Sequence, residues 1–207
     1  MSASCKPHSG SAVRPLLACL VGGACLIHGT LWAIQLAPKE IEEKVIEGLP
    51  RKHLAFPDPP GFALYEFPER WTWSRSGEGV EFHPPDTDQA SLVLQILDAS
   101  GLPPVDGSRE SGEAYKKIAL GSVGVREATV QSVNPDLLQI GHSKVCEVVV
   151  HYQMRGQRYA RTIACFNRGE DQVRLTLTSL ERDHAALAGA MRRSLFTWQF
   201  VRHLPGE

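Results

Sequence analysis

Cys146 and Cys165 are the two cysteines that stand outside the N-terminal part of the chain, where Cys5, Cys19 and Cys25 fall. A thiol pair has two chemical fates. It oxidises to a disulfide in an exported protein, or it stays reduced as two small buried hydrophobes in a reducing compartment. The local sequence brings this pair into register. Residues 144–154, KVCEVVVHYQM, are rich in β-branched and aromatic side chains and run into Arg155-Gly156, a turn dipeptide. With those two residues as a hairpin loop, Met154 faces Gln157, Tyr152 faces Tyr159, Val148 faces Ile163 and Cys146 faces Cys165. Cys146 and Cys165 are therefore a disulfide candidate.

The same register places the other reactive groups. Glu147 and His151 share a face, opposite Ala164 and Ala160, with Arg158 and Arg161 on the next strand. A carboxylate and an imidazole on one face suit acid/base work, but no nucleophile or cofactor loop accompanies them, and a polar network at the rim of a sheet is the stronger reading. Arg161 falls on the cysteine face opposite Val150, where it must reach the rim or find a carboxylate. His83, Asp86 and Asp88 approach a metal-ligand set, yet they lie in a Pro-rich loop without a dense set of ligands, so a solvated loop is expected. Nucleophile-elbow, phosphate-loop, His-Glu-x-x-His and Cys-x-x-Cys motifs do not occur. No catalytic, cofactor-binding or metal-binding residue is assigned, and the chain is read as non-enzymatic.

The elements that position these groups form a meander. After the hairpin, a turn at Arg168-Gly169-Glu170 leads into residues 172–179, where Val173, Leu175 and Leu177 alternate with Arg174 and Thr176. The first two strands are apolar on both faces, through Val149, Ala160, Thr162, Ala164 and Phe166 on the second, and a sheet of that kind needs cover on both sides, most simply helices. Two helices are available. Residues 111–120 group Ala114, Tyr115, Ile118 and Ala119 on one face and are ended by Gly121. After the meander, Thr178 and Glu181 are spaced as a capping box, and His184, Leu187, Ala188, Met191 and Leu195 form an apolar stripe. Phe196, Trp198 and Phe200 then close the core. Further extended segments are expected at 62–67, 71–75, 79–83 and 91–97, and at 125–133 and 137–140 around an Asn134-Pro135-Asp136 turn. Residues 98–108, with Gly101, Pro103, Pro104 and Gly107, form the longest irregular stretch and the first place to look for a binding loop.

Composition narrows the class. With 207 residues, 43% of them hydrophobic and 22% charged, the chain is globular and holds one ordinary domain plus extensions. A balance of 22 Lys and Arg against 23 Asp and Glu leaves no basic footprint for nucleic acid. The extension is N-terminal. Residues 15–37 carry no charge and are long enough to span a bilayer as a helix, preceded by Lys6 and Arg14. An uncleaved anchor is expected, with the C-terminal domain outside the cytoplasm; a cleaved signal peptide or a lipoprotein matured at Cys25 is the alternative. Residues 38–48 read as a short juxtamembrane helix, and 51–60, with Pro57, Pro59 and Pro60, as a stiff linker. The expected domains are thus 1–37 (leader with membrane anchor or signal segment), 38–60 (juxtamembrane helix and linker) and 61–207 (globular).

The globular part opens Gly61-Phe-Ala-Leu-Tyr-Glu-Phe-Pro-Glu-Arg-Trp71, passes through a helix to a long antiparallel meander and ends in a helix with Ser194-Leu-Phe196. From Gly61 to Val201, and in its Pro68-x-x-Trp71 signature, it resembles the PsbP-like family, the group of the photosystem II extrinsic proteins and the Ran-binding Mog protein. The resemblance implies an α+β fold, an α/β/α sandwich with a central antiparallel sheet, here preceded by the N-terminal transmembrane or signal helix. It also implies a domain that binds or stabilises a partner protein rather than catalyses. The alternatives are a small-ligand binder or unrecognised enzyme with a pocket near the 98–108 loop, and a secreted envelope lipoprotein. The expected partners are a protein and, through the N-terminal helix, the membrane.

Overall fold

A computed structural model describes residues 34–43, 51–77, 79–125 and 127–205. In chain order the strands are β1 (Lys39–Glu43), β2 (Arg51–Asp58), β3 (Gly61–Tyr65), β4 (Thr72–Ser76), β5 (Gly79–His83) and β6 (Ser91–Asp98). Helix α1 (Arg109–Val123) follows, then β7 (Thr129–Ile140), β8 (Ser143–Met154), β9 (Gln157–Arg168), β10 (Asp171–Leu180), α2 (Glu181–Leu195) and β11 (Gln199–Val201). They build a seven-stranded antiparallel sheet in the order β4-β5-β6-β10-β9-β8-β7 and a four-stranded one in the order β1-β2-β3-β11.

The meander is the middle of the large sheet. Arg155 and Gly156 both take positive φ, 51° and 77°, which suits the two-residue turn whose twist matches the flanking strands. The register follows from that loop: Met154 pairs with Gln157, Tyr152 with Tyr159, Val148 with Ile163 and Cys146 with Cys165. On one face Cys146, Val148, Val150, Ile163 and Cys165 pack under Tyr115 and Ala119 of α1. On the other, Ala164, Phe166, Val173, Leu175 and Leu177 meet Ala188, Met191 and Leu195 of α2. The small sheet joins this second layer, where Leu54, Phe56, Ala63 and Tyr65 belong to the same core as Val80, Phe82, Leu92 and Leu94. Helices thus lie on both faces of the large sheet, as its doubly apolar centre requires, with a second sheet beside α2.

Helix α1 begins at Ser108, whose hydroxyl accepts from the Ser111 N–H, and ends at Gly124, which takes φ 67°. Gly121 lies inside the helix, three residues short of the true end. Helix α2 has no side-chain cap. The expected capping box with Thr178 does not form, because the Thr178 hydroxyl accepts from Arg161 instead.

Several expectations are corrected. The juxtamembrane helix is absent where described: Lys39–Glu43 is a strand paired with β2, and Ile41 packs on the cluster of Ala55, Leu64 and Leu204. Residues 44–48 of that segment lie outside the described residues. The stiff linker is a strand whose His53, Leu54, Ala55 and Phe56 are buried. Proline is tolerated there because β1 reaches only to Ala55, so Pro57 pairs with β3 alone. The folded body consequently takes in Ile34, which is 4% exposed, rather than starting at 61. The Asn134-Pro135-Asp136 turn is a bulge within the single edge strand β7. Phe196 is 71% exposed, and Trp198 alone of the C-terminal aromatic trio is buried. The apolar stretch 15–37 lies largely outside the described residues; no described helix is long and apolar enough to cross a membrane.

Candidate functional site

The residues singled out for chemistry on the hairpin stand in the predicted register. Cys146 and Cys165 face each other as free, buried thiols, with Cys165 Sγ 3.8 Å from the Cys146 carbonyl oxygen. The hydrogen bond to Cys146 and then burial hold the Cys165 thiol well above its ordinary range. Glu147 and His151 go to separate partners. Glu147, 4% exposed, accepts two hydrogen bonds from Arg192 of α2, both 2.8 Å, while His151 Nδ1 lies 3.0 Å from Glu181. These pairs fasten the helix to the sheet, the polar network that the missing nucleophile implied. His83, Asp86 and Asp88 are exposed, and Asp86 faces Arg70 at 3.6 Å. No group of three metal-ligating side chains occurs among the described residues.

A second histidine, His184, sits deeper. Its Nε2 is 2.7 Å from Thr162 Oγ1 and its Nδ1 2.8 Å from Ser179 Oγ, and all three residues are buried where α2, which carries His184, meets the sheet. Burial, with His151 and Arg192 nearby, pushes its pKa down to about 4. The folded pKa lies below the unfolded value of about 6.5, so the unfolded chain binds the proton more readily. Stability is then undiminished above about pH 6.5 and falls between there and about pH 4. The expected loss over that interval is about 3 kcal/mol, at ~1.36 kcal/mol per pH unit. Urea titrations across this range should show the slope, and His184→Gln should flatten it.

A groove opens where the outer strands of the two sheets meet. Trp73 Nε1 on β4 donates to Glu40 Oε2 on β1 at 2.8 Å, and Lys52 Nζ lies 3.0 Å from Glu40. The Trp73 and Lys52 hydrogen bonds hold the Glu40 carboxyl below its usual range. Beyond this contact the sheets diverge around a groove of about 720 Å³ walled by Phe67, Pro68, Trp71 and Trp73, with Arg51, Lys52, Glu69 and Arg70 around it. An aromatic wall with a rim of both charge signs is suited to binding, and it presents no nucleophile or general base aimed at a common point.

No family model matches the sequence, and no curated protein matches it. Solved structures do. CyanoP, the cyanobacterial PsbP of Synechocystis sp. PCC 6803, superposes with a TM-score of 0.53 at 12% identity over 77% of this chain and 98% of its own. The chain has a PsbP-like fold. The Ran-binding protein Mog1p of Saccharomyces cerevisiae gives 0.49 at 7% identity over 79% of this chain and 96% of its own. A Bacteroides thetaiotaomicron protein gives 0.41 at 14% identity over 70% of this chain, which spans 46% of that protein's length.

Within the PsbP-like fold, the 98–108 loop is a fastening rather than a mouth. Pro103 and Pro104 carbonyls accept from Tyr115 Oη at 2.6 Å and Ser111 Oγ at 2.8 Å, and Val105 is buried in the α1 core. The four grooves described in the fold are lined by other residues. Sequence reasoning missed the Trp73 groove because its lining joins the β3–β4 connection and β4 to Glu40 of β1 and Arg51 and Lys52 of β2, which the sequence does not place beside them. The signal it did carry was the run of Phe67, Pro68, Trp71 and Trp73, many large apolar groups for a connection and the start of one short strand.

Proposed function

We propose that this chain is a non-catalytic, partner-binding domain, carried outside the cytoplasm on an N-terminal membrane segment, and that its partner is a protein that places an apolar side chain in the Trp73 groove. The observation that carries the binding reading is the pair of indoles at the seam of the two sheets, Trp71 buried and Trp73 half-buried with its N–H already satisfied by Glu40. Rigid aromatic walls supply contact area at little cost in side-chain entropy, which is why Trp dominates protein-binding hot spots. The reading as an extracytoplasmic anchored domain rests on the charge-free stretch 15–37 and the basic residues before it.

The test uses the full-length chain in its own membrane, with a photo-crosslinking residue in place of Arg70, whose side chain is 71% exposed beside the groove. A protein adduct is expected, reduced about 30-fold by Trp73→Ala, the effect of losing ~2 kcal/mol at a hot spot. Absence of an adduct, or one indifferent to Trp73, overturns the binding reading. Protease added to intact cells should digest the domain, and protection would overturn the location alone.

A further inference from the structure

Helix α1 covers only part of its face of the large sheet. Beside it, the same face of β6, β10 and β9 forms a groove of about 420 Å³. Its floor is Val93, Ile163 and Thr176, its wall on the helix side is Ser122, and Arg161 and Arg174 stand at its two ends. Neither guanidinium has a carboxylate within ion-pair distance among the described residues. Glu81 is on the same face, one strand further out beyond Val93.

Arg161 is set in place by neutral acceptors: its Nε donates to Thr178 Oγ1 at 3.0 Å and its Nη1 to the Ser122 carbonyl at 2.6 Å. Arg174 donates through Nη2 to Gln172 Oε1 at 3.0 Å, and its Nε–H is buried without a partner. A buried donor left unpaired is costly. A modest turn of the guanidinium towards the groove presents the Nε and Nη2 fork that pairs with a carboxylate.

The spacing selects the ligand. Arg161 pairs across the ladder with Thr178, four residues along β10 from Arg174, so the two arginines are separated by about 13 Å along the strand direction at ~3.3 Å per residue. In an extended peptide, side chains four residues apart point the same way and are separated by the same distance.

We infer that this groove binds an extended acidic segment of a protein, with carboxylates four residues apart on Arg161 and Arg174 and the intervening residues lying over Val93, Ile163 and Thr176. Charge complementarity argues for the occupant: two uncompensated cations and no acid in the lining. The inference stands apart from the Trp73 groove, and Trp73→Ala leaves it unchanged.

Fluorescence anisotropy on the purified full-length chain tests it, using a labelled Thr- and Val-rich peptide with Glu at two positions four apart. Saturable binding is expected, weakened about tenfold or more when the glutamates are made glutamine or moved next to each other, and about tenfold by Arg161→Gln, as for a charge-assisted pair. Arg161 also holds the end of α1, so Thr176→Glu is the companion variant. It adds a carboxylate between the guanidiniums and should abolish binding with the melting temperature unchanged. Failure to saturate, or full binding by Thr176→Glu, overturns the inference. So does complete competition by inorganic phosphate that is unaffected by Arg161→Gln, which would mark a single-anion site. Binding of anionic vesicles through the same arginines, with no binding of the peptide, would assign the face to a lipid surface instead.

Discussion

Arg192→Ala is expected to lower the unfolding free energy by about 3–5 kcal/mol, the range for breaking a buried ion pair from one side. Glu147 keeps its carboxyl in the interface between β8 and α2, 4% exposed, and Arg192 is the partner that meets both of its oxygens. Arg192 itself opens to solvent on its outer edge, with 41% of its side chain exposed. Water entering the gap therefore moderates the loss towards the lower figure. The carboxylate left behind is the source of the penalty, not the lost attraction, and the double variant Glu147→Leu with Arg192→Leu should recover most of the stability. A denaturant double-mutant cycle measures both. Equal cost in the single and double variants would mean that packing of the arginine stem carries the effect.

Trp198→Ala should be as damaging, about 3–5 kcal/mol for an aromatic side chain removed from a core. Its ring centroid lies 4.9 Å from Tyr65, 5.5 Å from Phe166, 6.0 Å from Phe56 and 6.5 Å from Phe200. Tyr65, Phe56 and Phe200 belong to the small sheet and Phe166 to the large one, so the cavity would open between layers that cannot close by moving one side chain. Trp198→Phe is the informative control. It retains a ring and removes an indole N–H that has no acceptor among the described residues, so it should cost distinctly less. Urea midpoints for the two variants, compared at constant slope, decide the matter.

The legible part of the fold was local. Arg155-Gly156 fixed one hairpin, alternation of Val173, Leu175 and Leu177 fixed a face, and together they placed Cys146 against Cys165. The small sheet could not be read in the same way, because it joins the two ends of the folded body: Gln199–Val201 pairs with β3, whose residues lie far upstream. Its outer strand is spelled Lys-Glu-Ile-Glu-Glu, a sequence with good helix propensity that becomes a strand because β2 offers it backbone partners and Ala55 and Leu64 offer Ile41 a place to pack. Cover on both faces is read from β8 and β9, whereas the alternation of β10 implies one buried face. On β10 the residues between the apolar ones are Arg174, Thr176 and Thr178, which need no helix above them, and the face beside α1 stays open. Arg161 is out of place among cysteines and valines, and its meaning needs Arg174, four residues along β10 from its cross-strand partner Thr178, to be seen beside it.

The attachment of the N-terminal arm has a mechanical consequence. The Ile34 N–H donates to Asp171 at 2.8 Å and the Gln35 N–H to the Pro57 carbonyl at 2.8 Å. Asp171 begins β10, the central strand of the large sheet, and its neighbour on β2, Asp58, is held by Arg168 at 3.0 Å. A pull on Ile34 is therefore met first at the start of the central strand, whose antiparallel neighbours on both sides share the load, before it reaches the outer strand β1.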